Sequence, residues 1–279
     1  MLGIRLNFDK RYITLAPVAT LIGLAFRLYD PDQLLGDQHD IGITVAVVPS
    51  DQPGISIGRR HSPLTLGFMN GPINGRDVFI PLDWVIGGPE NCGHGWKILM
   101  GCLSVGRGIS MPALSSAVAQ QCVRITGPYA KIRRQFKRSI GEFEGIQALL
   151  GAIGGMSYII ESNRYCLAQA VQDGARPSVA AAISKYHLTE LSRKILQLSM
   201  DLHSGHAVQA GPSNLLAEVY NGLPISTVGE GANVMTRNLI IFGQGVMRAH
   251  PFIRHEIIAA TEAQTNADAM IKFDQHFFG

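Results

Sequence analysis

The chain has 279 residues, 46% of them hydrophobic, which is enough to bury a sizeable core in one large or two modest domains and too much for a disordered chain. Only 16% of residues are charged and the formal net charge is +3, which excludes the long basic stripe of a nucleic-acid binder; the one dense basic cluster, Lys131 to Arg138, is local. Met1 to Phe8 lacks the charged-then-apolar pattern of a secretory signal, and the longest apolar stretches, Val18 to Phe26 and Ile41 to Pro49, are less than half the ~20 residues of a membrane-spanning helix, so no transmembrane segment is predicted.

The predicted elements begin with short strands. Ile4 to Phe8, Tyr12 to Leu15, Val18 to Tyr29, Ile41 to Val48, Gly54 to Arg59 and Arg76 to Ile80 are β-branched or aromatic runs. Asp9-Lys10, Asp30-Pro31-Asp32, Pro49-Ser50-Asp51 and Asn74-Gly75 supply the turn chemistry between them, so an antiparallel sheet or barrel is expected. From Gly93 the period changes. Ile146, Leu149, Leu150, Ile153 and Met156, and then Leu188, Leu191, Ile195, Leu198 and Leu202, recur at the three- and four-residue steps of amphipathic helices. Pro177 followed by Val179 marks a helix start, Gly205 and Gly211 an interruption, and Pro212-Ser213 the opening of a shorter helix toward Tyr220.

The predicted fold class is α+β: a partial antiparallel β-domain over 1–92, then an up-down four-helix bundle over 93–279. A sheet that starts almost at residue 1, and the apolar rings of Phe273 to Gly279 with no evident packing partner, make both ends read as cut. The four cysteines, Cys92, Cys102, Cys122 and Cys166, lie far apart with no C-x-x-C pairing, so they are expected to be reduced core residues. Cytoplasm is the compartment that fits; peripheral attachment to the inner membrane stays open.

Three segments could carry chemistry. In Gly229-Glu230-Gly231-Ala232-Asn233 a lone carboxylate stands between two glycines inside apolar sequence. Absent side-chain bulk would let a flat substrate approach the backbone, and an apolar enclosure would raise the carboxylate toward a useful general-base range. Spacing alone favours the plainer alternative, a helix-start turn with an acidic residue near the positive dipole end. Second, Arg133-Arg134-Gln135-Phe136 could receive a pyrophosphate and a flat ring, or could be a solvated basic helix end. Third, Arg107 between Gly106 and Gly108 needs a partner if it is buried. His203-x-x-His206 lacks a third ligand at a recognised spacing, so no metal site is assigned. Gly151, Gly154 and Gly155 fall within a helical period, which disfavours a dinucleotide-binding glycine loop.

In their order and spacing these segments resemble the acyl-CoA dehydrogenase family, and most of all its large bacterial members of fatty-acid β-oxidation, nearly end to end. The marks are Lys10 to Thr14, Gly93-His94-Gly95-Trp96, Arg107, Arg133-Arg134-Gln135-Phe136 with Ile140 and Gln147, and Glu230-Gly231-Ala232-Asn233. The resemblance implies an FAD enzyme that converts fatty acyl-CoA to trans-2-enoyl-CoA, passes electrons to an acceptor flavoprotein and assembles as a homo-oligomer. It also implies that the N-terminal helical domain and opening strands lie outside this chain. Tyr12 and Thr14 would flank the flavin, while Arg133, Gln135 and Phe136 would reach the FAD of a neighbouring subunit. Glu230 would be the base, Gly231 would lie beside the thioester, and Arg107 would help orient them. An inactive fragment that keeps the oligomerising bundle is the alternative, and a monooxygenase on the same fold is a further rival. Departures from the family pattern are Ser204-Gly205-His206-Ala207 in place of Gly-Gly-x-Gly, Lys137 in place of the glycine after Phe136, and Gly229 before the base.

Overall fold

A computed structural model describes residues 2–262 and 267–278 and divides into two compact units, Met1–Cys102 and Leu103–Gly279. It is α+β, antiparallel strands followed by long helices.

In the first unit β1 (Gly3–Thr14) and β4 (Ile55–Ile57) both pair antiparallel with β5 (Asn70–Pro81), while β2 (Leu21–Tyr29) and β3 (Asp40–Pro49) form a separate hairpin. Alternation explains the pairing. Ile4, Leu6 and Phe8 point inward while Arg5 and Asn7 point out, and they meet Ile22, Leu24, Val48, Ile73, Val78 and Ile80 in one core. Each such aliphatic or aromatic side chain contributes roughly 1.5–3 kcal/mol by leaving water.

Turns form where predicted at Pro31-Asp32 and Ser50-Asp51, but not at Asp9-Lys10 or Asn74-Gly75. Those two segments instead pair with each other: Asp9 lies opposite Asn74 and Phe8 opposite Gly75, with register shifts on either side. Gly75 is a packing glycine, because a Cβ there would sit 2.2 Å from Phe8 Cε1. The predicted separate strands Ile4 to Phe8 and Tyr12 to Leu15 are therefore one strand with irregularities, and the strand expected from Val18 begins at Leu21 after a short 3₁₀ turn.

The helices are α1 (Gly95–Ile132), α2 (Glu144–Gln172), α3 (Ser178–His203) and α4 (Ala217–Val228), followed by a short helical turn (Asn233–Met235), a π-helix (Thr236–Gln244) and three further helices ending at Phe278. In the second unit Val118 and Cys122 of α1, Ile153 and Ile160 of α2, Leu188, Ile195 and Leu196 of α3 and Leu223 of α4 form the core. The predicted periodic stripes supply Ile153, Leu188 and Ile195 to it directly, with Met156, Leu191 and Leu198 packed against it.

Four expectations need correction or limits. The short helix opens at Ala217, not at Pro212-Ser213, because Asn214 holds the preceding loop: its amide donates to the carbonyls of Ala207 and Gln209, and its Oδ1 accepts from Leu216 N. Cys122 is buried, but Cys102 and Cys166 are exposed and Cys92 is half-buried, so the cysteines are free thiols without being uniformly core residues. Helix α1 is, by length and composition, apolar enough to cross a membrane, which an inspection of uninterrupted apolar runs misses because glycine, serine and Arg107 break them. It carries buried Arg107 and Ser116, which donate to Glu230 O and to the Glu161 carboxylate within the second unit. The side chains of Phe273, Phe277 and Phe278, and Gly279, lie outside the described residues.

Candidate active site

Helix α4 ends at Val228, Gly229 N still donating to Ile225 O at 2.7 Å, and the chain then turns through two consecutive left-handed residues, Glu230 (φ 56) and Gly231 (φ 95). A non-glycine residue in this region is strained by roughly 1–3 kcal/mol and persists only where the surroundings over-determine it. Here they do. Arg107, buried in α1, donates Nε to Glu230 O at 2.9 Å. Lys185 of α3, wholly buried, donates Nζ to Gly231 O at 2.7 Å, Thr227 O at 3.2 Å and Asn233 Oδ1 at 2.6 Å. Asn233 in turn donates Nδ2 to Thr189 Oγ1 at 3.0 Å and Glu190 Oε1 at 2.7 Å, and Thr236 Oγ1 donates to Gly231 O at 3.2 Å. Gly231 has no alternative: a Cβ there would lie 3.1 Å from Thr236 Oγ1 in a backbone conformation that side chains rarely adopt.

The main chain of Glu230 is thus fixed from within while its carboxylate stands exposed beside Gly106, where a Cβ would come within 3.8 Å of Glu230 Oε1. This corrects the expectation of an apolar enclosure: within this unit the buried part of the motif is the backbone, because the left-handed turn directs the carbonyls inward and the side chain out. Arg107 is the buried arginine that needed a partner, and the partner is the carbonyl of Glu230. Burial pushes the Arg107 guanidinium down from its ordinary value, opposed by the nearby Glu230 charge. Lys185 is pushed down to about 8, first by burial and then by the charge of Arg107, with Glu190 and Glu230 opposing.

Arg133, Gln135 and Phe136 sit on the hairpin of β6 (Arg134–Gln135) and β7 (Arg138–Ser139) that follows α1. The hairpin turns at Phe136 (φ 52) and Lys137 (φ 65), a two-residue loop with both residues left-handed. It is pinned to the end of α1 by Ser139 Oγ, which donates to Ala130 O at 2.8 Å, and by Ile140 N, which donates to Arg133 O at 2.9 Å. Phe136 is consequently held out at 88% exposure, its ring edge-on to Phe143. A guanidinium, an amide and an exposed aromatic ring presented by a tight loop are the donors and the platform that a pyrophosphate and a flat heterocycle require. In the first unit Tyr12 and Thr14 are likewise exposed on β1, with the Tyr12 ring 5.4 Å from that of His61.

His203 is buried at the end of α3, stacked on Tyr129 with ring centroids 3.9 Å apart, and burial followed by the charge of His206 pushes it down to about 4. Among the described residues no three His, Cys, Asp or Glu side chains come together as a metal-binding set. Ser204 follows with φ 54 and ψ −133, a glycine conformation at the position where the family pattern begins Gly-Gly. Replacing Ser204 by glycine is therefore expected to stabilise the protein by about 1–2 kcal/mol, read as a raised midpoint in urea unfolding. An unchanged or lowered midpoint would remove the strain assigned to this residue.

Lys185 escaped the sequence reading, although a signal was there. It lies four residues after Ala181 and three before Leu188, on the stripe that continues through Ile195, so a charged side chain occupies a core position of an otherwise regular helix.

The chain belongs to the acyl-CoA dehydrogenase family: residues 93–244 match the model described as acyl-CoA dehydrogenase, C-terminal domain. Among its relatives, protein HemX of Proteus mirabilis is 50% identical over 103 residues, covering 37% of this chain and 61% of the relative. The mitochondrial short/branched chain specific acyl-CoA dehydrogenase of Bos taurus is 28% identical over 239 residues, covering 84% of this chain and 52% of the relative. In fold the chain is similar to butyryl-CoA dehydrogenase from Megasphaera elsdenii, with a TM-score of 0.76 at 21% identity over 88% of this chain and 61% of that one. The chain therefore spans about half to three-fifths of the length of these relatives.

Proposed function

We propose that this chain carries the catalytic base and flavin-facing residues of an FAD-dependent dehydrogenase that converts fatty acyl-CoA to trans-2-enoyl-CoA, of the kind of the large bacterial enzymes of fatty-acid β-oxidation. The observation that carries the reading is the Glu230 turn: an exposed carboxylate whose main chain is fixed by a buried guanidinium and a buried ammonium. Glu230 takes the α-proton of the thioester as the hydride leaves the β-carbon, which balances the loss of two hydrogens from the substrate. The thioester carbonyl accepts a hydrogen bond from Glu230 N–H, which makes the α-proton more acidic, and Gly231 leaves room for it. Arg107 orients the turn. FAD, when bound, supplies the hydride acceptor at its N5. Tyr12 and Thr14 hold one flavin, and Arg133, Gln135 and Phe136 hold that of a neighbouring subunit, so a homo-oligomer is part of the proposal, as are a partner flavoprotein that accepts the electrons and a cytoplasmic site of action.

Titrating the purified protein with FAD tests this. Bound flavin that survives gel filtration is expected, and Arg133→Ala is expected to weaken retention by about 10- to 100-fold, the effect of losing charge-assisted hydrogen bonds to a phosphate. The exposed Glu230 and the Ser204 departure favour one second reading, a bundle that oligomerises without catalysis. A chain that takes up no FAD at all would establish that reading over the first.

A further inference from the structure

Lys185 is among the largest side chains in the protein with no exposure at all, and it stands where the α3 stripe calls for an apolar residue. An ammonium group is tolerated there only if its donors are used, and all three are. What they hold is informative. Thr227 O lies three positions before Glu230, Gly231 O one after and Asn233 Oδ1 three after, so a single cation ties together both arms of the turn whose apex is Glu230. The next turn of α3 repeats the grip, since Thr189 and Glu190 accept from the amide of the same Asn233. The turn therefore inherits its placement from a 26-residue helix and does not depend on its own short and strained backbone.

We propose that Lys185 is the positioning residue for Glu230, the group that holds the turn so that the carboxylate keeps one direction. The proposal deepens the dehydrogenase reading and, for its effect on turnover, rests on it. A positioned base contributes through the fraction of time it spends in the reactive geometry, so loosening the turn should lower kcat and leave substrate affinity nearly unchanged. A lysine that merely fills the core would act differently, because its replacement would weaken the whole unit evenly.

The test is Lys185→Met in the full chain, with amide hydrogen exchange followed by mass spectrometry and turnover measured on the FAD-loaded protein. Peptides spanning 229–236 are expected to exchange on the order of 10- to 100-fold faster, with peptides from α2 unchanged, and kcat is expected to fall at least ~10-fold while KM stays within about threefold. Even loss of protection across α2, α3 and the turn, an unaltered turn, or a loosened turn with unaltered kcat would each overturn the proposal. Should Lys185→Met fail to fold, Asn233→Ala removes one of the three acceptors while leaving Lys185 and α3 intact and is expected to give the same pattern at ~3- to 10-fold; a turn as protected as in the wild type would again overturn it. The exchange measurement stands apart from the chemistry: full turnover by Glu230→Gln would defeat the dehydrogenase reading, whereas the positioning claim fails on the exchange and the kcat of the lysine variant.

Discussion

Replacing Glu230 by glutamine is expected to slow acyl-CoA oxidation by about 10²- to 10⁴-fold, the usual contribution of a positioned general base, with flavin occupancy unchanged. The substitution preserves shape, and the side chain is exposed, so no packing defect accompanies it. The main-chain bonds to the turn involve the carbonyls of Glu230 and Gly231 and survive the change. A dye-coupled oxidation assay alongside the flavin absorbance separates loss of chemistry from loss of cofactor. Undiminished turnover would remove Glu230 from the mechanism and favour a chemistry on this fold that needs no carboxylate at that position.

The second large effect is expected at Arg107. Substituting methionine keeps most of the apolar stem and deletes the donor to Glu230 O, so turnover is expected to fall by about 10- to 100-fold. Thermal stability should change less than removal of a buried charge usually implies, because the Glu230 carboxylate is exposed and would not be left as an uncompensated buried charge. The same variant has an electrostatic signature. The charge of Arg107 is the second cause that pushes Lys185 down to about 8, so Arg107→Met should raise the Lys185 titration toward the ordinary lysine range, visible by NMR of its side chain. A Lys185 titration that moves down or not at all would contradict the arrangement of the two cations around the turn.

How much of this was legible beforehand depended on what each residue's job was. Glu230, Gly231 and Arg107 could be singled out because each is odd for its neighbourhood: a carboxylate between glycines, an arginine between glycines in an apolar helix. The two stripes, one through Ile153 and one through Leu188 and Ile195, announced the helices, since a buried face must repeat with the helical period. Asn74-Gly75 and Asp9-Lys10 misled because turn-forming residues also serve where strands pack tightly, and only the placement of the Phe8 ring over Gly75 shows which role applies. The late opening of α4 was hidden because it depends on one Asn214 side chain and on carbonyls that the fold brings to it. Lys185 was passed over for a different reason. Lysine in a helix reads as surface, and its acceptors lie 42 to 48 positions away in the chain, so no local window contains the pair.

The most direct measurement of the central claim is the exchange of the α-hydrogens of a saturated acyl-CoA with deuterated water, followed by NMR on the FAD-loaded protein. A carboxylate at residue 230 that removes the α-proton should catalyse deuterium uptake at that carbon, and Glu230→Gln should abolish it. Uptake at equal rates in both proteins would mean that the proton leaves to another group.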